Sequence, residues 1–313
     1  FMPNIRIGIA GATGYSGREL LRLAVGHPNV DPVVAMASTD GHHDLPALDG
    51  IWKGAVEGFS LERLAQETDV VFLSLPDAVS AEISDALIAL GSRVFDLSGA
   101  FRLRDKTARR RWYPKTRDLE VRAVYGLPEW NRRSLNTARL IACPGCYPTA
   151  ALLALTPLVS AGIIAREGSN YDIYIDAKSG ISSAGKKPSE RTHFSEVHGS
   201  IAAYGIFSHR HAAEIEQELA RPVTFVPHLV PLDRGILETI YTRVEPGTTD
   251  NTIRETLEDV YQESPFVRLT GNTPPEIKHV VHTNFCDIGW ILEDTRLVLV
   301  VCIDNPSDIT KIC

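Results

Sequence analysis

Ile5-Arg6-Ile7-Gly8-Ile9-Ala10-Gly11-Ala12-Thr13-Gly14-Tyr15-Ser16-Gly17 is the stretch that decides the fold of this chain. Its first six residues have the apolar pattern of a short strand, and residues 18–25 then carry Leu20, Leu21, Leu23 and Ala24 at helical spacing. Between the two, Gly11, Gly14 and Gly17 recur at every third position. Glycines so placed permit a tight turn and let a pyrophosphate approach the unpaired N–H groups of a helix start. Strand, glycine turn and helix together read as the opening of a dinucleotide-binding unit.

Outward from that unit, further strands are predicted at residues 33–36, 69–75 (stopped by Pro76), 93–97 and 140–142. A helix is predicted over residues 80–90, closed by Gly91. Strands alternating with helices over the first 150 residues imply an α/β domain, a mainly parallel sheet covered on both faces. Beyond Ala150 the pattern becomes β-rich at residues 171–175, 225–226, 236–244 and 297–303, with helices expected near 211–220 and 251–261. That is the profile of a second, α+β domain with a mostly antiparallel sheet. The boundary falls near residue 148, giving domains at 1–147 and 148–304, with 305–313 able to return to the first.

At 313 residues the chain exceeds the usual size of a single core, in keeping with two domains. Hydrophobic residues at 44% and charged residues at 23% describe a soluble globular protein. A formal charge of -7 argues against nucleic acid and anionic membranes, which need a positive field. No run approaches the roughly 18 apolar residues of a membrane span. The five cysteines, Cys143, Cys146, Cys286, Cys302 and Cys313, show no disulfide-framework spacing and suit a reducing cytoplasm.

Residues 140–149 run from a strand through Pro144-Gly145 into an apolar helical stretch, so Cys146 sits at a helix start. There the helix dipole and open N–H groups favour thiolate over thiol, the form a nucleophile needs. Cys143 and Cys146 also form a Cys-x-x-Cys pair. A redox disulfide, or a zinc site completed by His209 and His211, therefore stand as alternatives. After the second strand, Ser38 suits a 2′-phosphate, whereas Asp40 suits a bare ribose hydroxyl.

The chain resembles the N-acetyl-γ-glutamyl-phosphate reductases, relatives of the aspartate-semialdehyde dehydrogenases. The resemblance rests on residues 11–17, Asp96-Leu97-Ser98-Gly99-Ala100-Phe101-Arg102, Tyr125-Gly126-Leu127-Pro128-Glu129 and residues 144–149. It continues through Lys178-Ser179-Gly180 with Ala184-Gly185, His209-Arg210-His211 and residues 225–235. It implies a Rossmann domain for NADP(H), a second domain carrying substrate and oligomer contacts, and a cytoplasmic homodimer or homotetramer. The implied reaction is reductive dephosphorylation of N-acetyl-γ-glutamyl phosphate to the semialdehyde, in arginine biosynthesis. By the same resemblance Cys146 is the nucleophile and His209 the base, with Arg102, Lys178, Arg210 and His211 on the anionic acyl-phosphate substrate. Gly11, Thr13, Gly14, Tyr15, Ser16, Gly17, Ser38, Pro76, Ser179 and Gly180 would then surround the cofactor. No metal is implied.

Several positions depart from the family pattern. Cys143 stands for a common asparagine, Asp77 for a histidine, and Thr39-Asp40 for an arginine after Ser38. Residues 304–313 lack the Lys-Gly-Ala-rich helix with which relatives return to the cofactor domain. A sibling acyl-phosphate reductase, acting on aspartyl phosphate or on a carrier-bound aminoadipyl phosphate, is the nearest alternative. A catalytically silent nucleotide-binding protein is the alternative from another class.

Overall fold

A computed structural model describes residues 3–37, 45–50, 52–117, 122–165 and 173–305, and the chain divides into two compact units that meet between Pro144 and Gly145. Ser38, Asp40 and residues 306–313, on which expectations were placed, lie outside the described residues.

The first unit contains β1 (Ile5–Ala10), α1 (Tyr15–Val25), β2 (Val30–Ala37), β3 (Val56–Gly58), α2 (Leu61–Glu67), β4 (Val70–Leu73) and α3 (Asp77–Ala89). These are followed by β5 (Arg93–Asp96), α4 (Lys106–Trp112), β6 (Val124–Tyr125), α5 (Pro128–Thr137) and β7 (Leu140–Ala142). Among the described residues its seven strands form one parallel sheet in the order β3-β2-β1-β4-β5-β7-β6. Ala10, Met36, Val71, Leu73, Val94 and Leu140 are almost fully buried beside Ala81 and Leu87 of α3, so the strands read as apolar runs because helices cover them. Order reverses at β1, which has β2 on one side and β4 on the other. In such sheets a ligand crevice opens at the carboxyl ends of the strands flanking the reversal, where residues 11–17 leave β1.

The second unit contains α6 (Cys146–Ser160), β8 (Tyr174–Ser179), the short α7 (Phe194–Val197), β9 (Ala202–Ala203), α8 (Arg210–Leu219) and β10 (Thr224–Leu229). After these come β11 (Ile236–Arg243), α9 (Asp250–Tyr261), β12 (Val267–Gly271), β13 (Cys286–Glu293) and β14 (Arg296–Ile303). The sheet order is β12-β13-β14-β11-β8-β10-β9, antiparallel except for the β12–β13 and β8–β10 pairs. α6 is apolar all round and buried from Tyr147 to Leu155, as a helix at the centre of a domain must be. It packs on β11 and β14 and is flanked by α8 and α9. The opposite sheet face carries Tyr174, Tyr241 and Ile291, each more than two-fifths exposed. Register aligns Tyr174 with Tyr241, Tyr241 with Val298, and Val298 with Ile291, a continuous row over four strands. Among the described residues no helix is long and apolar enough to cross a membrane.

Candidate active site

Cys146 is the first residue of α6, and Gly145 at its N-cap has no side chain to offer. A distant carboxylate reaches that cap instead: Glu214 Oε1 accepts the Gly145 N–H at 2.8 Å from within the core. Thr149 closes the first turn from below, its Oγ1 donating to Gly145 O at 2.9 Å. These bonds fix the direction of the helix start while Cys146 remains half-buried and a free thiol.

Four side chains remote in sequence gather about its neighbour Tyr147. Tyr147 is 1% exposed, and its ring lies edge-on to His209 at 5.8 Å and to His211 at 5.7 Å between centroids. Phe225 of β10 backs both Tyr147, at 5.2 Å, and His209, at 5.4 Å. Tyr204 completes the group, its hydroxyl 3.1 Å from that of Tyr147 and its ring 5.6 Å from His209. Burial raises the pKa of both phenols, and negative charge on Cys146 raises them further, so the sulfur lies within electrostatic reach of both. Each phenol accordingly stays protonated at working pH and can serve as a donor.

His209 is the N-cap of α8, where its Nδ1 accepts the backbone N–H of His211 at 3.2 Å. Burial, helped by the positive charge of neighbouring Arg210, pushes its pKa down to about 4. The ring is therefore neutral near pH 7. With Nδ1 occupied as acceptor, its one proton resides on Nε2, which makes Nε2–H a hydrogen-bond donor. His211 is buried within the cluster, whereas Arg210 is exposed.

Two residues expected to hold substrate, Lys178 and Arg102, make these contacts within their own units. Alternation along β8 buries Ile175, Ala177 and Ser179 and turns Lys178 to the other face of the sheet. There Lys178 pairs with Asp176 at 2.8 Å, and Asp176 also meets His228 at 3.1 Å. Ser179, not Lys178, reaches Tyr147. Arg102 is buried in the first unit, its Nε donating to Cys143 O at 2.7 Å and its Nη2 to Leu97 O at 2.8 Å. Those bonds place its guanidinium against the turn that leads to Cys146, holding backbone. Asp96 beside it is wholly buried, and that burial pushes its pKa up to about 6 despite the Ser98 and Ser80 hydrogen bonds and the charge of Arg102.

The three glycines of the loop meet different surroundings. Gly11 adopts φ +89, and a Cβ there would lie 2.2 Å from Ser74 O. One on Gly17 would lie 2.2 Å from Gly11 O, so this glycine lets α1 close onto the loop. Gly14 is different: its nearest obstacle is 3.4 Å away, and no side chain caps the α1 start that follows it. Thr13 and Ser16 are half-buried beside it and Tyr15 is exposed. Pro76 is exposed at the α3 N-cap, just past β4 and so at the same carboxyl edge of the sheet. Gly180 belongs to the second unit and packs against the Arg234 backbone, where a Cβ would come within 2.8 Å. Cys143 and Cys146 are both free thiols, and among the described residues no three His, Cys, Asp or Glu side chains are placed to hold a metal ion.

Residues 6–138 match the family described as semialdehyde dehydrogenase, NAD binding domain, and residues 146–305 match its dimerisation domain. The N-acetyl-gamma-glutamyl-phosphate reductase of Shouchella clausii (strain KSM-K16) is 43% identical over 317 residues, spanning 96% of this chain and 91% of the relative. That of Geobacillus stearothermophilus is 42% identical over 318 residues, 96% of this chain and 90% of the relative. Among solved structures, aspartate semialdehyde dehydrogenase II from Vibrio cholerae has a TM-score of 0.72 at 16% identity, covering 99% of this chain and 97% of that one. The Candida albicans aspartate semialdehyde dehydrogenase with NADP has a TM-score of 0.69 at 16% identity, over 99% and 95% of the two chains. At that identity the structures share the fold.

Proposed function

The chain belongs to the semialdehyde dehydrogenase family, among its N-acetyl-gamma-glutamyl-phosphate reductases, and from that premise we propose how its own residues carry out the reaction. The substrate is N-acetyl-γ-glutamyl phosphate and the product is its semialdehyde, a step of arginine biosynthesis. The observation that supports the site is Cys146 at an open helix start, beside two protonated phenols and a neutral imidazole.

Cys146 Sγ bonds to the acyl carbon and the bond from that carbon to phosphate oxygen breaks, leaving a thioester and inorganic phosphate. NADPH, when bound, supplies the hydride, whose two electrons take the acyl carbon to the aldehyde level. The carbon–sulfur bond then breaks and Cys146 leaves as thiolate. One proton is consumed per turnover and resides on the released phosphate. Negative charge develops on the acyl oxygen twice, and His209 Nε2–H and the phenol of Tyr204 are the donors available to meet it. Arg210 lends positive charge and His211 lends shape around the anionic substrate.

The cofactor assignment rests on the Gly14 cradle. Gly14→Val is expected to fold, because only a 3.4 Å contact opposes a Cβ there, and to weaken NADPH binding by about 1–2 kcal/mol, roughly tenfold, the worth of an anion at a helix start. Titration of NADPH fluorescence checks this; unchanged affinity would move the phosphates away from this loop.

The assembly is a homo-oligomer, a homodimer or homotetramer, built on the exposed row from Tyr174 to Ile291. Apolar side chains in register across four strands form a contiguous exposed row, the kind of surface that supports an interface. Tyr241→Lys is expected to shift the sedimentation coefficient toward that of a monomer. A cytoplasmic location fits the four described cysteines, all free thiols.

A further inference from the structure

Beside the catalytic cluster the second unit holds a cavity of about 330 Å³ that the reaction as described leaves unassigned. Glu190, Arg191, Glu196, Val197, Tyr204 and Leu229 are among its lining residues, and Arg191 is the one cation in that lining. Its guanidinium lies over the Tyr204 ring, Cζ 5.9 Å from the centroid. Among the described residues no hydrogen bond or ion pair engages that guanidinium, although two carboxylates line the same cavity. Tyr204 is thus a shared wall, T-shaped against His209 of the catalytic cluster and carrying a cation over its ring.

We propose that Arg191 is a specificity-determining residue that pairs with the α-carboxylate of the substrate in this cavity. The inference rests on the reaction proposed above and adds where the far end of the substrate goes. In a glutamyl chain four bonds separate the reacting carbon from the carboxylate carbon, about 5 Å at ordinary carbon–carbon lengths. With Tyr204 5.6 Å from His209 and 5.9 Å from Arg191, the two lie at most about 11.5 Å apart, a span that a chain of about 5 Å covers with a hydrogen bond of about 3 Å at each end. A planar guanidinium takes a carboxylate through two parallel hydrogen bonds, and stacking on Tyr204 pre-orients it for that. Val197 and Leu229 supply apolar surface for the acyl group on the α-nitrogen.

The test uses the full chain, with N-acetyl-glutamate semialdehyde, phosphate and NADP⁺ in the reverse assay, and with the α-methyl ester of the semialdehyde as probe. Arg191→Met is expected to raise the KM for the semialdehyde on the order of 10- to 100-fold, the worth of a hydrogen-bonded charge pair, with the loss concentrated in KM rather than kcat. Arg191→Lys should recover part of the loss. The native enzyme should prefer the free carboxylate over the ester by a similar factor, and Arg191→Met should lose that preference. If the native enzyme turns over and the Met variant keeps the preference, the subsite is refuted and the reaction stands. Calorimetry with N-acetyl-glutamate and its α-methyl ester gives a readout independent of turnover. Should the native enzyme fail to turn over, a binding preference abolished in Arg191→Met would support the subsite while the reaction falls; a preference kept would refute both.

Discussion

Cys146→Ser is expected to lower kcat by about 10⁴-fold or more in both directions while leaving NADP⁺ affinity unchanged. A serine hydroxyl at the same helix start keeps the shape and much of the hydrogen bonding, but it is far harder to ionise than a thiol. It would also leave an ester, which resists hydride addition more than a thioester does. The change therefore removes the covalent route and little else. A second arm uses limited iodoacetamide followed by peptide mapping. Among the described cysteines Cys146 alone is partly exposed; Cys143, Cys286 and Cys302 are buried. Burial first, then the charges of Asp287, Glu276 and Glu238, pushes the Cys302 thiol up to about 12. One equivalent of reagent should thus label Cys146 and stop turnover. Activity within tenfold of native in Cys146→Ser would end the covalent scheme.

The parts of this protein that were legible in its sequence are those governed by neighbours along the chain. The glycine turn, the strand before it and the helix after it lie within 21 residues of one another, from Ile5 to Val25, and each obeys a local rule. The position of Cys146 at a helix start was equally local, set by Pro144-Gly145 and the apolar run behind it. The cluster around that sulfur was not local. Tyr147 and Tyr204 meet across 57 residues and Gly145 and Glu214 across 69, and no periodicity in one sequence announces such pairs. β13 escaped notice because Asp287 and Gly289 interrupt its apolar pattern, which only its place between β12 and β14 makes good. Lys178 is the instructive case. In a strand adjacent side chains face opposite ways, so Lys178 and Ser179, expected on the substrate and at the cofactor, look to opposite faces of the sheet, and the alternation of residues 174–179 was there to be read.

Replacing His209 should separate two chemical roles that the residue type alone leaves open. A general base would need an imidazole lone pair free to take the thiol proton. Here Nδ1 already accepts the His211 N–H, and Nε2 carries the ring's proton, so the neutral ring acts as a donor. A neutral imidazole at a helix start can polarise a carbonyl in this way. His209→Ala is then expected to lower kcat about 10²- to 10³-fold, the loss typical of one oxyanion donor. His209→Gln, whose amide N–H can stand near Nε2, should keep kcat within about tenfold of native. A base would make both variants equally poor. The pH dependence points the same way. The folded ring protonates at about 4, so native kcat should show no histidine limb from His209 between pH 5 and 8. Stability carries the complementary signature: between about pH 4 and the unfolded value near 6.5 the unfolded chain binds the extra proton, so stability rises with pH across that window. Urea melts at pH 5 and 7 should show this slope in the native protein and a smaller one in His209→Gln. Equal inactivity of the Ala and Gln variants, with an acid limb near 6.5 in the native enzyme, would return His209 to the role of base.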